Sequence, residues 1–231
     1  MPTRRSQPDD GEKRAPITRD QVLHEALALA DEGGVEALTI RAVAENLGVT
    51  PMALYHHIRN KDEIVNGMLD LVMDEIELPA FGGRWQTEMA RRATSARHVL
   101  NAHPWAIHLL QAGSAPGPAT LRHHNAVIGV LREAGFTVID TAHAFALLDS
   151  YLYGFALSET TLPIHGPQAV TDVAQSMMAR STEQGHPMAD YPHLFEFSTE
   201  HILAPGYEFG AEFEFGLDLI LDALERALGS R

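Results

Sequence analysis

Two histidine doublets, His56-His57 and His123-His124, are the first side chains to weigh as a site of chemistry. Neither doublet suits a metal. Neighbouring residues on a helix point about 100° apart, whereas histidines that chelate from one helix sit three or four positions apart. His98, His103, His108 and His143 form no HExxH arrangement. No GxSxG turn occurs, and the glycine-rich run from Gly113 to Pro118 lacks the Lys-Ser/Thr of a phosphate-binding loop, so it reads as a linker. The chain has no cysteine, which removes disulfide and thiolate chemistry and fits a reducing cytoplasm. No metal or cofactor is expected. What remains are polar or polarisable groups set into apolar stretches, the pattern of a ligand pocket. Asp149 and Tyr153 are one helical turn apart, and His103-Pro104-Trp105 marks a helix junction with His108 one turn beyond. Asn125, His143 and Met177 are further candidates. Each of these also fits as a surface or satisfied core residue, and Trp105, Tyr153 and Phe155 fit as plain core.

The elements that would carry these groups read as helices throughout. Thr18 with Gln21 makes a capping box for a helix whose stripe is Val22, Leu23, Ala26, Leu27 and Ala30, ended by Gly33-Gly34. Thr39 caps a second helix carrying Ile40, Val43, Ala44 and Leu47, and Gly48 stops it. Thr50 caps a third, with Pro51 at the first helical position, where its missing N–H costs nothing. Asn60 caps a fourth from Lys61 to about Glu77. Further helices are expected near 84–102, 105–111, 117–134, 137–161, 168–181, 192–202 and 208–228, each bounded by Gly or Pro. No sustained alternating run with hairpin turns occurs, so the fold is all-α. Residues 1–16 read as a disordered arm with basic pairs Arg4-Arg5 and Lys13-Arg14. No apolar run follows Arg4-Arg5, so the start does not read as a secretory signal. The apolar stretch from Thr141 to Ser158 contains His143 and Asp149, and a charge at a bilayer centre is costly, so a buried helix is expected rather than a membrane span.

Charge narrows the partner. The net charge is −14, but residues 1–61 carry 8 Lys/Arg against 9 Asp/Glu, and residues 62–231 carry 9 against 22. An acidic body repels phosphate, so any DNA contact belongs to the near-neutral N-terminal quarter. That quarter contains the run TIRAVAENLGVTPMALYHHI: a helix, a glycine turn, and a second helix two residues later. This is helix-turn-helix spacing, in which the second helix enters the major groove.

The longer stretch ALTIRAVAENLGVTPMALYHHIRNKDEIV resembles the DNA-binding domain of TetR-family transcriptional repressors. Leu-Thr opens the second helix, Ala-Glu-x-Leu-Gly-Val crosses the turn, and Leu-Tyr-x-His and Asn-Lys-Asp precede an apolar helix. The match spans residues 18–75 and looks most similar to the tetracycline-repressor branch. It implies that Thr39 touches phosphate and that Arg41 reaches a base edge or phosphate. It implies that Thr50, Pro51, Met52 and Ala53 face the groove. Tyr55 and His56 would contact the backbone, and Lys61 would clamp phosphate. Many relatives carry a polar residue where this chain has Met52 and Ala53, so base reading would rest on Arg41, Thr50 and apolar contact with thymine methyls.

The resemblance divides the chain into the arm at 1–16, a helix-turn-helix domain at 17–62, and a ligand-binding and dimerisation domain at 63–231. It implies a pocket enclosed by central helices and a homodimer built from two late helices. For the dimer, Phe209, Phe213, Leu217, Ile220, Leu224 and Leu228 form an apolar stripe that Phe215 and Leu221 widen. The helix from Thr137 to Thr161 is apolar on nearly every side, so burial all round is expected. Asp149 is expected to hold a structural partner, since an isolated buried carboxylate is expensive. The pocket is expected near Trp105, His108 and Tyr153, with the segment from Gly185 to Gly206 over its mouth. The reading is a cytoplasmic, dimeric repressor of a near-palindromic DNA operator, released by a small aromatic or amphipathic molecule. Two alternatives stand beside it: a DNA-binding regulator answering to a partner protein or to no ligand, and a small enzyme using His103, His108, His124 or Asp149.

Overall fold

The computed structural model describes residues 16–111, 115–161 and 167–229, so the arm and part of the 113–118 linker lie outside the described residues. All regular structure among the described residues is helical. The chain divides into two units, Met1–Met68 and Leu69–Arg231.

In the first unit, α1 (Arg19–Ala37) opens on the expected capping box, with Thr18 Oγ1 accepting from Gln21 N–H at 3.2 Å and Gln21 Oε1 accepting from Thr18 N–H at 2.9 Å. The helix proper stops at Gly34, whose φ of 73° suits a residue without Cβ, and one further turn follows. Thr39 caps α2 (Ile40–Leu47) by accepting from Ala42 N–H. Gly48, at φ 65° and ψ 36°, closes α2 in the left-handed conformation. Thr50 caps α3 (Pro51–Leu54), with Pro51 in its first turn. Val22, Leu23, Ala26, Val43, Ala44, Leu54, Ile58 and Ile64 form the buried centre of this unit.

The helix α4 (Lys61–Glu75) starts in the first unit and ends in the second. Asn60 Oδ1 caps it by accepting from Glu63 N–H at 2.8 Å. In the second unit α5 (Trp85–Ala102), α6 (Pro104–Gln111), α7 (Pro118–Glu133), α8 (Val138–Thr161) and α11 (Ala211–Gly229) surround one apolar core. Asp70 of α4 caps the start of α7, accepting from the N–H groups of Ala119 and Thr120 and from the Thr120 hydroxyl. That satisfies donors the helix cannot pair itself.

Three expectations change here. α8 is not buried all round: Ala144, Leu148, Leu152 and Ala156 face the core, while Val138, Ile139 and Leu147 lie exposed on the other side. On α11 the inward row is Phe213, Leu217 and Leu221, and Phe215 points outward at 65 % exposure together with Leu219. The helix reaches its core by closeness to α8, where a Cβ on Gly216 would overlap the Tyr151 hydroxyl. That hydroxyl donates to the carbonyls of Glu212 and Phe213, both at 3.0 Å. Between α8 and α11 lie α9 (Pro167–Glu183), a 3₁₀ turn (Met188–Asp190), and α10 (Pro192–Phe197) continued by a π-helical turn (Ser198–Ile202). The single helix expected over 192–202 is thus two differently wound pieces.

Candidate functional site

The helix-turn-helix groups face outward. Thr39, Arg41, Thr50, Pro51, Met52, Tyr55, His56 and Lys61 are exposed, and Ala53 is half-buried. The register explains this: Val43, Ala44, Leu54 and Ile58 take the inward positions, which turns Arg41, Met52 and Tyr55 to solvent. Met52 is 70 % and Tyr55 50 % exposed, large apolar surface for one small unit. Thr39 and Thr50 each spend one hydroxyl lone pair on a cap, which leaves their O–H groups free to donate. The Lys61 ammonium reaches the Val35 carbonyl at 3.3 Å, close to the end of α1. Two of its three donors remain for other partners.

The second unit contains a polar cluster that the sequence reading did not assemble. Arg92 on α5 is 2 % exposed. Its Nε donates to His123 Nε2 at 2.9 Å, and a terminal nitrogen lies 2.8 Å from Asp149 Oδ1. The second contact is an ion pair without hydrogen-bond alignment, since Asp149 Oδ1 has no hydrogen-bond partner. His123 is fully buried. Burial, then the Arg92 charge, then His124 hold its pKa down to about 3, so the ring is neutral and accepts from arginine. Tyr153, one turn beyond Asp149, has its hydroxyl pKa pushed up to about 12 by burial and by Asp149. Of the expected ligand residues, Asp149 and Tyr153 therefore share one neighbourhood. The signal for this cluster was present: Arg92 falls on the Trp85, Met89, Ala96 stripe and His123 on the Ala119, Val127, Val130 stripe. A polar residue in an apolar register marks a buried partner.

Trp105 is buried with its ring edge-on to His103, 6.3 Å between centroids, while His108 is exposed on α6. His103 in turn lies 3.3 Å from Glu75. Met177 sits elsewhere, on α9, beside a cavity of about 600 Å³. That cavity is lined by α9, α10 and the segment leading into α11, and by none of Trp105, His108, Asp149 or Tyr153. Its size falls in the range of small-molecule sites. Among the described residues no group of three or more His, Asp or Glu is arranged to hold a metal ion.

Residues 22–68 match the family described as bacterial regulatory proteins, tetR family, and residues 78–228 match the tetracyclin repressor-like, C-terminal domain. The chain belongs to the TetR family. It is 29 % identical to an HTH-type transcriptional regulator of Saccharopolyspora erythraea, over 92 % of this chain and 86 % of that protein. It is 29 % identical to the HTH-type transcriptional repressor DrrR1 of Streptomyces coeruleorubidus, over 93 % and 80 %. Among solved structures it resembles the Streptomyces coelicolor TetR family protein ActR in complex with actinorhodin. That match has a TM-score of 0.76 at 25 % identity, over 93 % of this chain and 98 % of that one. As a TetR-family member the chain is a helix-turn-helix transcriptional regulator, as the N-terminal residues led one to expect. No described helix is long and apolar enough to cross a membrane.

Proposed function

We propose that this TetR-family chain is a repressor that binds a near-palindromic operator as a homodimer and releases it when a small amphipathic molecule binds the helical body. The observation that carries the DNA half is the outward set along α2 and α3, where Arg41, Thr50, Met52 and Tyr55 are exposed while Val43, Ala44 and Leu54 face inward. Arg41 and Thr50 read base edges, Pro51, Met52 and Ala53 lie along the groove, and Thr39, Tyr55, His56 and Lys61 hold the backbone. The dimer is supported by the unpaired faces of α8 and α11, where Ile139, Leu147, Phe215 and Leu219 stand exposed. Apolar side chains so grouped mark an interaction surface.

For the effector, the supporting features are the Arg92–His123–Asp149 cluster with Tyr153, the Trp105 junction with His108 at its exposed side, and the apolar cavity at Met177. The relatives support it too: ActR has been seen with actinorhodin bound. A ligand shifts the equilibrium only by its differential affinity for the two states, so release requires that the effector prefer a body conformation that spaces the two α3 helices wrongly for DNA. The α4 helix is the continuous element through which that change reaches the DNA unit. A gel shift on DNA flanking the chain's own gene, with and without candidate amphipathic compounds, tests the reading. Sequence-specific retention that a compound abolishes is expected. Retention that no compound alters would leave a regulator without a small-molecule effector, and no retention would end the DNA reading.

A further inference from the structure

The cavity beside Met177 has a composition that specifies its occupant. Its walls are almost wholly apolar: Val173, Met177 and Met178 from α9, Met188 from the 3₁₀ turn, and Phe197 and Phe209 from the chain that returns to α11. Three aromatic rings are arranged around one edge. His201 lies 4.8 Å from Tyr207 and 5.7 Å from Phe197, centroid to centroid. Glu212 is the one carboxylate in the lining, and one of its oxygens is 2.9 Å from His201 Nε2. Its other oxygen has no hydrogen bond among the described residues. The segment that forms this edge is acidic in sequence. Between Arg180 and Arg226 the sequence carries ten Asp or Glu and no Lys or Arg. Arg180 turns its Nε back to the Ser176 carbonyl. Arg97, which packs over Phe155 and Phe213, is tied by two nitrogens to Glu159 at 2.6 and 2.7 Å.

We infer that this cavity is a binding site for a lipophilic monocation, with the apolar body held by the methionine and phenylalanine walls and the charge held by Glu212 and the faces of Tyr207 and Phe197. Methionine walls adapt to irregular apolar shapes. Aromatic faces attract a desolvated cation through the ring quadrupole. Glu212, 38 % exposed, attracts a cation and repels an anion within a few ångström, with part of that discrimination screened by solvent. The same walls would take an anion of equal shape only against the field of the acidic segment. The site stands as a binding site whether or not it controls DNA; its role as the effector pocket rests on the repressor reading.

The test uses the full chain and two ions of nearly the same shape and opposite charge, tetraphenylphosphonium and tetraphenylborate, titrated by calorimetry. The phosphonium is expected to bind at least about tenfold more tightly than the borate. Glu212→Gln should remove most of that preference. Ala174→Trp, which places an indole in the cavity from a half-buried helical position, should weaken phosphonium binding by about tenfold or more with the circular dichroism spectrum unchanged. Equal affinity for both ions, indifference to Ala174→Trp, or no phosphonium binding overturns the inference. A change of oligomeric state in Ala174→Trp together with no phosphonium binding assigns the cavity to a second copy of the chain instead. Adding the phosphonium to the gel shift reads the coupling separately: binding without release of DNA keeps the site and removes it as the effector pocket.

Discussion

Arg92 is a guanidinium at 2 % exposure with two unlike partners: a carboxylate for its charge and a neutral imidazole that accepts from its Nε. Removing the carboxylate leaves an uncompensated buried charge, which costs about 3–5 kcal/mol. Asp149→Ala is therefore expected to lower the unfolding free energy by about that much, while the fraction still folded binds DNA as before. Loss of ligand response with parental stability would show instead that Asp149 serves the ligand. His123 sets an acid limit. With its pKa at about 3 in the fold against an ordinary 6.5, the unfolded chain takes up a proton that the folded chain refuses between those values. Stability is complete above pH 6.5 and falls as pH drops toward 3, by at most about 1.4 kcal/mol per unit. Between pH 7.5 and 5.0 the parent should lose about 2 kcal/mol more than His123→Asn in urea denaturation, and equal losses would remove His123 as the cause. On the DNA face, Lys61→Ala should weaken binding to every sequence and reduce the log–log salt slope by about 0.9. Arg41→Ala should relax discrimination at one base position, at about 1–3 kcal/mol. Two mutants indistinguishable from parent across salt concentrations would misplace the reading face. The sequence singles out Arg41 and Lys61 through their place in a dense local pattern, and both are exposed. It did not show Arg92 with His123, because that pair is 31 residues apart and meets only through helix packing.

The helices themselves were legible because their punctuation is local. Thr18, Thr39, Thr50 and Asn60 cap where their spacing from the next apolar stripe placed them, and Gly48 ends α2. What the pattern could not give is which apolar side of α8 and α11 belongs to the chain's own core. Hydrophobicity is the same whether a side chain is covered by its own chain or by a partner. Leu217 illustrates this: at 3 % exposure it is core, so its substitution by Glu would test folding rather than assembly. Phe215→Glu with Leu219→Glu should instead give a folded monomer by light scattering, and a folded dimer would remove this face from the interface. Gly216→Ala tests the α8–α11 approach. Its added methyl meets the Tyr151 hydroxyl, and overpacking of this kind costs about 1–3 kcal/mol. Gly216→Ala with Tyr151→Phe should recover part of that loss in thermal melts. A single mutant as stable as parent would show that the helices separate freely there.

At the scale of the whole molecule, the acidic charge and the DNA function are compatible because the charge is uneven. Residues 62–231 hold 22 of the acidic side chains against 9 basic ones, so the body repels DNA and the N-terminal end must make the contacts. The division between the two units falls inside α4, so that one helix belongs to both. The fold class and the DNA unit were readable from one sequence. The body's binding chemistry was less so, because the cavity at Met177 is made by segments whose side chains look individually like surface. Sequence-specific DNA binding as a dimer is read by footprinting of the purified chain on DNA flanking its own gene. One protected near-palindrome is expected, with half-sites about 34–36 Å apart or slightly more, bound at least about 10³-fold more tightly than unrelated DNA at physiological salt. Protection of a single unrepeated half-site, or equal affinity for all sequences, would contradict sequence-specific binding as a dimer.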